Sequence, residues 1–269
     1  MTDLTELHQK LLEILEYIDK ICKENNIKYT LCAGSVLGAI RHKGFIPWDD
    51  DLDVMMMRSE YNRFLEVVRK DKNEKFFLQE ELKGCPYYFS KIRLNGTTLI
   101  EKTAINKKWK NMHQGIFVDV FPVDYAKKSK VQRFIQTVCA RLLVAQSLLD
   151  RGYNNAAFYK KIVMSLSLFF LPFKKAMFNC VINVKKEKAA ATSTFLADYN
   201  KFYSLTLMEN IILGDFENKK YPIPADWKNY LVTMYGEKWT EPPSQKELEY
   251  KIHAKIFSTT KNYTEFLND

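Results

Sequence analysis

The sequence of 269 residues predicts an α+β fold, in which a mixed β-sheet core with helices precedes a mostly helical C-terminal part. An amphipathic helix comes first, short strand-like runs recur up to residue 122, and apolar residues fall at helical spacing from Ser129 onward. We therefore divide the chain into an α+β core, residues 1–125, and a helical region, residues 126–269, that packs on it.

The first elements follow from periodicity and turn residues. Apolar residues form one stripe over residues 4–25, which predicts a helix that faces a core. The following pattern predicts a strand at 27–32, a tight turn at Gly34-Ser35, a short helix at 36–42, and a strand that carries Asp51 and Asp53 into the apolar run 54–57.

The remaining elements follow in the same way. Asn95-Gly96 separates two strand-like runs, a pattern that is typical of a β-hairpin. The run 115–122 is apolar apart from Asp119 and predicts a central strand. We expect further elements as a helix from Ser59, strands at 76–82, 87–94 and 97–101, helices at 129–150 and about 155–205, and a last helix from about Ser244.

The most apolar run is Ile162–Phe173. A helix needs about 20 residues to span a bilayer, so this run predicts a buried helix. Lys160-Lys161 and Lys174-Lys175 flank it, and the alternative is contact with a membrane surface.

Net charge and cysteine usage limit the partners and the compartment. The formal net charge of +9 favours an anionic partner, but the basic residues are scattered and form no nucleic-acid-binding motif, so we expect no nucleic acid. Five widely spaced cysteines predict free thiols in a reducing cytosol, and the N-terminus shows no signal-peptide pattern. The expected location is cytoplasmic, with peripheral contact at a membrane surface as the alternative.

Three carboxylates form the candidate catalytic and metal site. Asp51 and Asp53 alternate on a predicted strand and so share a face, and Asp119 is the lone acid of a predicted central strand. Adjacent carboxylates repel one another unless a proton or a cation lies between them. One or two Mg²⁺ ions, or Mn²⁺ instead, suit such oxygen ligands. Asp49 and Asp50 fit a solvated loop or a helix cap equally well.

A second group of residues is suited to phosphate. Gly34 would let backbone amides approach an anion, and the Ser35 hydroxyl can donate to the same oxygens. Cations in or near the motif could pair with a phosphate or a nucleotide. The candidate phosphate- and nucleotide-binding residues are Gly34, Ser35, Arg41, Lys43, Lys91 and Arg93.

These motifs resemble those of a known family. A Gly-Ser pair, an Asp-x-Asp and a third carboxylate are similar to the signature of the nucleotidyltransferase superfold. The runs Gly34–Asp53 and Gly115–Asp124 resemble two blocks of the LicD family of phosphocholine transferases, and Tyr235-Gly236, Trp239 and Pro242-Pro243 resemble its C-terminal block. The resemblance covers nearly the whole chain and is weakest over about 129–205.

The resemblance implies a function. LicD-type enzymes take CDP-choline, transfer phosphocholine to a sugar hydroxyl of a cell-surface glycan or glycolipid, and release CMP. Carried over, Asp51, Asp53 and Asp119 are the metal ligands, Gly34 and Ser35 contact phosphate, and the helical region completes the donor or acceptor site. Aromatic residues near the motifs could bind choline, although these positions also suit a core; they are Trp48, Trp109, Tyr87 and Tyr88.

Other functions stay open. The family includes members that transfer ribitol phosphate from CDP-ribitol, so another CDP-linked alcohol such as ribitol or ethanolamine is an alternative donor, and nucleotide transfer is another. A non-catalytic scaffold that binds anionic glycans or nucleic acid is the alternative from a different class. It would have no need for three converging acids.

Overall fold

A six-stranded mixed sheet forms the centre of the molecule in a computed structural model, which describes residues 3–80, 88–102, 112–150, 158–194, 201–243 and 252–266. The strands of this sheet are β1 (Thr30–Leu31), β2 (Asp53–Met57), β3 (Phe76–Gln79), β4 (Ser90–Leu94), β6 (Phe117–Lys127) and β7 (Ala189–Thr194); β5 (Thr98–Glu101) lies outside it.

The sheet has the strand order β1-β2-β6-β4-β3, and β7 pairs with the C-terminal half of β6. Strand β2 is parallel to β6, whereas β1, β4, β3 and β7 each pair antiparallel with their neighbours. The predicted α+β class with a mixed sheet is confirmed.

Two helices, α1 (Thr5–Glu24) and α3 (Arg58–Lys70), pack on one face of the sheet. Their apolar stripes meet the inward side chains of β2, β4 and β6, such as Val54, Ile92 and Val118, which are fully buried. Each such side chain contributes about 1.5–3 kcal/mol of hydrophobic stabilisation. The opposite face carries polar side chains and forms the site described below.

The other elements surround this core. They are α2 (Ala33–Arg41), α4 (Lys130–Asp150), α5 (Phe158–Ser167), the 3₁₀ segment Leu168–Phe173, α6 (Lys174–Ile182), the 3₁₀ turn Lys186–Lys188, β8 (Ile211–Phe216), β9 (Lys219–Pro224), α7 (Trp227–Tyr235), β10 (Ala254–Ser258) and the 3₁₀ turn Tyr263–Phe266. Strands β8 and β9 form a hairpin, and β10 pairs with β5.

The predicted hairpin around Asn95-Gly96 is wrong in its pairing. The chain does turn there, with Gly96 at a φ of +74°. However, β4 is hydrogen-bonded to β3 on one edge and to β6 on the other, so neither edge is left for β5. Strand β5 instead pairs with β10 from the C-terminal end of the chain.

The region after residue 125 is less helical than predicted. Strand β6 continues to Lys127 across the predicted boundary, and β7 extends the central sheet where a helix was expected. Strands β8, β9 and β10 also lie in this part. The helix expected from about Ser244 falls largely outside the described residues, which resume with β10. The division at residue 125 itself stays a prediction.

The apolar run Ile162–Phe173 is not the buried helix that its composition predicted. Met164 is buried, but most of the other large side chains that the structure describes in this run are exposed, and Phe169 has 77% of its surface accessible. The overlapping window Met164–Ile182 is long and apolar enough to cross a membrane by length and composition, and 17% of it is buried. A single window of this kind is weak evidence for a span.

Helix α2 also begins earlier than expected, because Gly34 and Ser35 lie in its first turn and not in a tight turn before it. Gly38, in the middle of this helix, has a packing reason. A Cβ atom there would lie 2.4 Å from the backbone oxygen of Gly44.

We predict that Gly38→Ala lowers the free energy of unfolding by about 1–3 kcal/mol, although alanine is the better helix former. The backbone at Gly44 would have to shift to relieve the overlap. Urea denaturation of both proteins measures the change. Gly34→Ala is the matched control in the same helix: its Cβ would meet the movable Asp49 side chain, so its loss should be smaller. Equal losses in the two variants would contradict the packing argument.

Candidate active site

A row of charged side chains crosses three adjacent strands of the sheet. Asp53 on β2 is in register with Asp119 on β6, which is in register with Lys91 on β4. Neighbouring strands lie about 4.8 Å apart, and residues directly opposite each other present their side chains on the same face. The structure thus brings two of the three predicted carboxylates together, from stretches that are far apart in sequence.

Burial and mutual repulsion disfavour charge on this pair. Burial, the Asp51 carboxylate and the Asp119 carboxylate raise the pKa of Asp53 well above its usual value. Burial also raises the pKa of Asp119 to about 6, although the Lys91 ammonium opposes that shift. Lys91 Nζ lies 2.8 Å from Asp119 Oδ1 and 3.7 Å from Glu101 Oε2. The two aspartates would therefore gain from a further cation.

Lys91 and Arg93 share a face, as their alternation on β4 predicted. Lys91 Nζ lies 3.4 Å from the centre of the Phe117 ring, and the Arg93 guanidinium carbon lies 4.7 Å from it. Arg93 is completely buried, and it donates hydrogen bonds to Gln79 Oε1 and to the backbone oxygen of Gly115. Arg93 therefore has a structural role next to the row of Asp53, Asp119 and Lys91, whereas Lys91 contacts a carboxylate of the site.

The start of α2 lies beside Asp53. The backbone N–H of Asp53 donates to Ser35 Oγ at 2.9 Å, which ties the helix to the first residue of β2. Ala33 takes a φ of +44°, and its N–H donates to the Tyr230 hydroxyl. Such a strained backbone is costly for a residue with a side chain, and it is often found at functional sites. The positive end of the α2 dipole faces the site and favours an anion there.

A cavity of about 590 Å³ opens next to the N-terminal end of α2. Its walls combine carboxylates, cations and aromatic rings, so it can accommodate a ligand that carries both phosphate and cationic groups. The residues that give it this character are Arg41, Trp48, Asp49, Asp51, Asp53, Tyr235, Lys238, Trp239, Glu241 and His253, and Gly34, Pro242 and Pro243 also line it.

Two acids beside the cavity are held by the C-terminal segment of the chain. Asp51 Oδ2 lies 2.9 Å from His253 Nδ1, and this contact raises the pKa of His253 to about 9. Asp50 is buried, and its carboxylate accepts hydrogen bonds from the backbone N–H groups of His253 and Ala254. Asp50 is thus an anchor for β10, whereas Asp49 and Asp51 line the cavity.

Two other predicted cations differ in their placement. Arg41 lines the cavity and lies 6.0 Å from the centre of the Trp48 ring. Lys43 is exposed after the end of α2, at a φ of +59°, and is not among the cavity-lining residues. Of the predicted phosphate-binding residues, the structure brings Gly34 and Arg41 to the cavity wall and Ser35 to Asp53.

Two carboxylates of the site suit a divalent cation that has further ligands. The described residues contain no group of three His, Cys, Asp or Glu side chains that could hold a metal ion without such ligands. Mg²⁺, however, is usually bound by one or two carboxylates, with water and substrate phosphate as its other ligands. Asp53 and Asp119 offer paired carboxylates whose repulsion such an ion would relieve. The residues present therefore fit Mg²⁺ that binds together with a phosphate-containing substrate.

Several cavity residues could not be assigned from residue patterns alone. His253 and Lys238 lie far from the carboxylate motif in sequence, and no local spacing indicates them. Tyr235 and Trp239 did carry a signal, because they belong to the block that resembles the C-terminal motif of a family. Trp109 and Tyr87 lie outside the described residues, and Tyr88 is buried in the small cluster below α4 and α6.

Comparison with known proteins finds a family model that matches part of the chain. Residues 26–137, which include α2 and all three predicted carboxylates, match the family model described as LicD/FKTN/FKRP, nucleotidyltransferase domain. The chain therefore carries a domain of the LicD family, and the resemblance seen in its motifs is confirmed.

Individual relatives extend the similarity beyond that domain. The lipopolysaccharide cholinephosphotransferase LicD of Haemophilus influenzae is 27% identical over 260 residues, which cover 94% of this chain and 98% of that protein. Uncharacterized proteins of Rickettsia typhi and Rickettsia prowazekii are 37% and 42% identical over 62 and 50 residues, about a fifth of each chain. The similarity to the Haemophilus protein thus includes the helices and the C-terminal elements.

We predict that Lys91→Met lowers the free energy of unfolding by about 3 kcal/mol near pH 7.5, because a buried carboxylate loses its cationic partner. Asp119, whose pKa is about 6, is protonated at about pH 5, so the loss should shrink as the pH falls. Urea denaturation in the presence of a chelator at the two pH values measures both effects.

The matched control is Lys219→Met. Lys219 pairs with Glu16 at 2.6 Å, but both side chains are largely exposed, and such pairs contribute about 0–1 kcal/mol. A destabilisation by Lys91→Met that is no larger than that of the control, or that does not change with pH, would contradict the described role of Lys91.

Proposed function

We propose that this chain transfers phosphocholine from CDP-choline to a sugar hydroxyl of a lipopolysaccharide or related cell-surface glycan, and releases CMP. The observation that carries the proposal is the in-register row of Asp53, Asp119 and Lys91 beside a cavity with both polar and aromatic walls. The full-length similarity to a protein named lipopolysaccharide cholinephosphotransferase supports the choice of substrate.

Charge neutralisation is the main requirement of this reaction. The donor has negatively charged phosphates, and the attacking and leaving oxygens both need their charge stabilised. The cavity offers Arg41, Lys238 and the N-terminal end of α2 for that purpose. Mg²⁺ held by Asp53 and Asp119, with Asp51 nearby, would supply the rest of the positive charge when bound.

A carboxylate must also accept a proton. The sugar hydroxyl oxygen forms a bond to the phosphorus that carries choline, the bond from that phosphorus to CMP breaks, and the hydroxyl proton moves to a base. Asp119 suits this role because Lys91 keeps its carboxylate in place and favours the ionised form, which can accept a proton. We therefore assign Asp119 as the base.

The aromatic part of the cavity favours choline over other alcohols. A quaternary ammonium group cannot donate hydrogen bonds, and it binds to aromatic faces and nearby carboxylates. Trp48, Tyr235 and Trp239 line the cavity together with Asp49 and Glu241. Ribitol would need hydrogen-bonding partners for its hydroxyl groups instead. Transfer of another CDP-linked alcohol phosphate, or of a nucleotide, remains the second candidate, because the phosphate-binding features serve all of these donors.

The proposal locates the reaction in the cytoplasm, at or near the inner membrane leaflet. A lipid-linked glycan acceptor is found at that surface. The absence of nucleic-acid-binding motifs in the sequence is consistent with a glycan as the acceptor.

We predict that Asp53→Asn lowers CMP release from CDP-choline by at least about 100-fold, because it removes a ligand and a negative charge from the pair. In the presence of a chelator, the variant should be at least as stable as the wild type, since burial disfavours the charged form of Asp53. Turnover assays with Mg²⁺ and thermal unfolding with and without Mg²⁺ measure both. The variant should also lose the stabilisation that Mg²⁺ gives the wild type.

Asp215→Asn is the control for this prediction, because Asp215 is exposed and pairs with Lys220 on the β8–β9 hairpin. A panel of CDP-choline, CDP-ethanolamine, CDP-ribitol and CTP identifies the donor. CMP release by Asp53→Asn at a rate close to that of the wild type would contradict the proposed chemistry. Pyrophosphate release from CTP would favour nucleotide transfer.

We predict that Trp239→Ala raises the KM for CDP-choline by about tenfold, while KM for CDP-ribitol changes little, because an aromatic face is worth about 0.5–2 kcal/mol to a cation. Trp239→Phe should recover most of the affinity. Steady-state kinetics with both donors measures the difference. Equal effects on both would mean that Trp239 supports the shape of the site and does not select choline.

A further inference from the structure

The helical pair formed by α4 and the segment from α5 to α6 carries an apolar projection. All six residues of the 3₁₀ segment Leu168–Phe173 are exposed, which we call the apolar knob. Phe169 and Phe173 have 77% and 59% of their surface accessible. Large apolar side chains exposed together on all sides of a turn are costly in water, and such patches mark interaction surfaces.

The charge around the knob is strongly positive. Residues 127–186 contain twelve Lys and Arg residues and one acid, Asp150, for a formal net charge of +11. The whole chain has a net charge of +9, so the other residues sum to −2. Lys161 precedes the knob and Lys174 and Lys175 follow it directly. The positive charge of this protein is thus concentrated in the part of the sequence that contains the apolar knob.

We propose that the apolar knob inserts into an anionic lipid bilayer and that the surrounding lysines bind its phosphate headgroups. Apolar turns rimmed by Lys and Arg lie in membrane interfaces with their apolar side chains in the acyl region. A second copy of this chain is a poorer occupant, because a two-fold contact through this region would bring like charges together. A nucleic acid would leave the phenylalanines in water.

The knob lies on the surface of the bilayer and does not form part of a span. A span over Met164–Ile182 would place Lys174 and Lys175 within the hydrocarbon, where each charge is expensive. The inner side of this segment is occupied by protein, since Met177 and Val181 pack against α4. The knob, by contrast, is exposed over all six of its residues and can enter the membrane.

The knob has a rigid connection to the candidate active site. Gln136 of α4 donates to the backbone oxygens of Tyr125 on β6 and Val181 on α6, and it accepts from the N–H of Lys127. Strand β6 also carries Asp119. Docking of the knob therefore fixes the orientation of the sheet relative to the membrane. If the proposed function holds, this orientation presents the site to a lipid-linked acceptor.

Vesicle flotation with the full-length protein tests the proposal. We expect binding to vesicles of phosphatidylcholine with phosphatidylglycerol, weaker binding to phosphatidylcholine alone, and loss of binding at high salt. Phe169→Ser with Phe173→Ser should lower the partition coefficient by at least about tenfold without a change in charge. Lys174→Gln with Lys175→Gln should abolish the preference for anionic vesicles and leave weak binding to both.

The matched control is Ile212→Ser with Leu213→Ser, which removes exposed apolar side chains from the β8–β9 hairpin instead. Its binding should equal that of the wild type. Unchanged binding by the Phe169 and Phe173 variant would overturn the proposal. So would a wild-type dimer, seen by light scattering, that this variant makes monomeric, because the knob would then be a contact between copies.

The flotation assay requires no turnover, so it separates this proposal from the proposed reaction. Lost vesicle binding with normal CMP release on a soluble acceptor would overturn the lipid surface alone. Normal vesicle binding without CMP release from any CDP-alcohol would overturn the reaction alone.

Discussion

The pairing of two aspartates, Asp53 and Asp119, on adjacent strands governs the rest of this site. Asp53 and Asp119 repel each other, and neither can move away, because the hydrogen bonds between β2 and β6 fix their register. The protein accepts this cost at the centre of its sheet and offsets part of it with Lys91 on the next strand. A structural role would be served better by apolar residues, and the proposed cation, bound together with the substrate, would relieve the repulsion.

The surroundings of the row keep its charges in place. Lys91 lies over the Phe117 ring and 2.8 Å from Asp119 Oδ1. The neighbouring Arg93 donates to the amide oxygen of Gln79 and to the backbone oxygen of Gly115. On the other side, Ser35 bonds to the backbone of Asp53 and joins α2 to the same row. A one-residue slip in any of these strands would turn the charged side chains into the hydrophobic core.

The sequence predicted the elements whose signal is local. The apolar stripe of α1, the strand after Asp53 and the isolated acid Asp119 all follow from periodicity, and they lead to two carboxylates that lie in register on β2 and β6. The pairing of β5 with β10 joins segments about 150 residues apart, and no local pattern encodes it. The knob was misassigned for a different reason: composition shows that Leu168–Phe173 is apolar, but not whether another element covers it.

The continuity of β6 explains why the two halves of the chain act together. Its first half carries Asp119 between β2 and β4, and its second half pairs with β7 and adjoins α4. The strand therefore connects the carboxylates rigidly to the helices that bear the apolar knob. The C-terminal segment is attached to the same core. Asp50 accepts hydrogen bonds from the backbone N–H groups of His253 and Ala254, and β10 pairs with β5. If the proposed reaction and the proposed membrane contact both hold, this rigid connection would present the reacting hydroxyl to the cavity at a fixed height above the membrane.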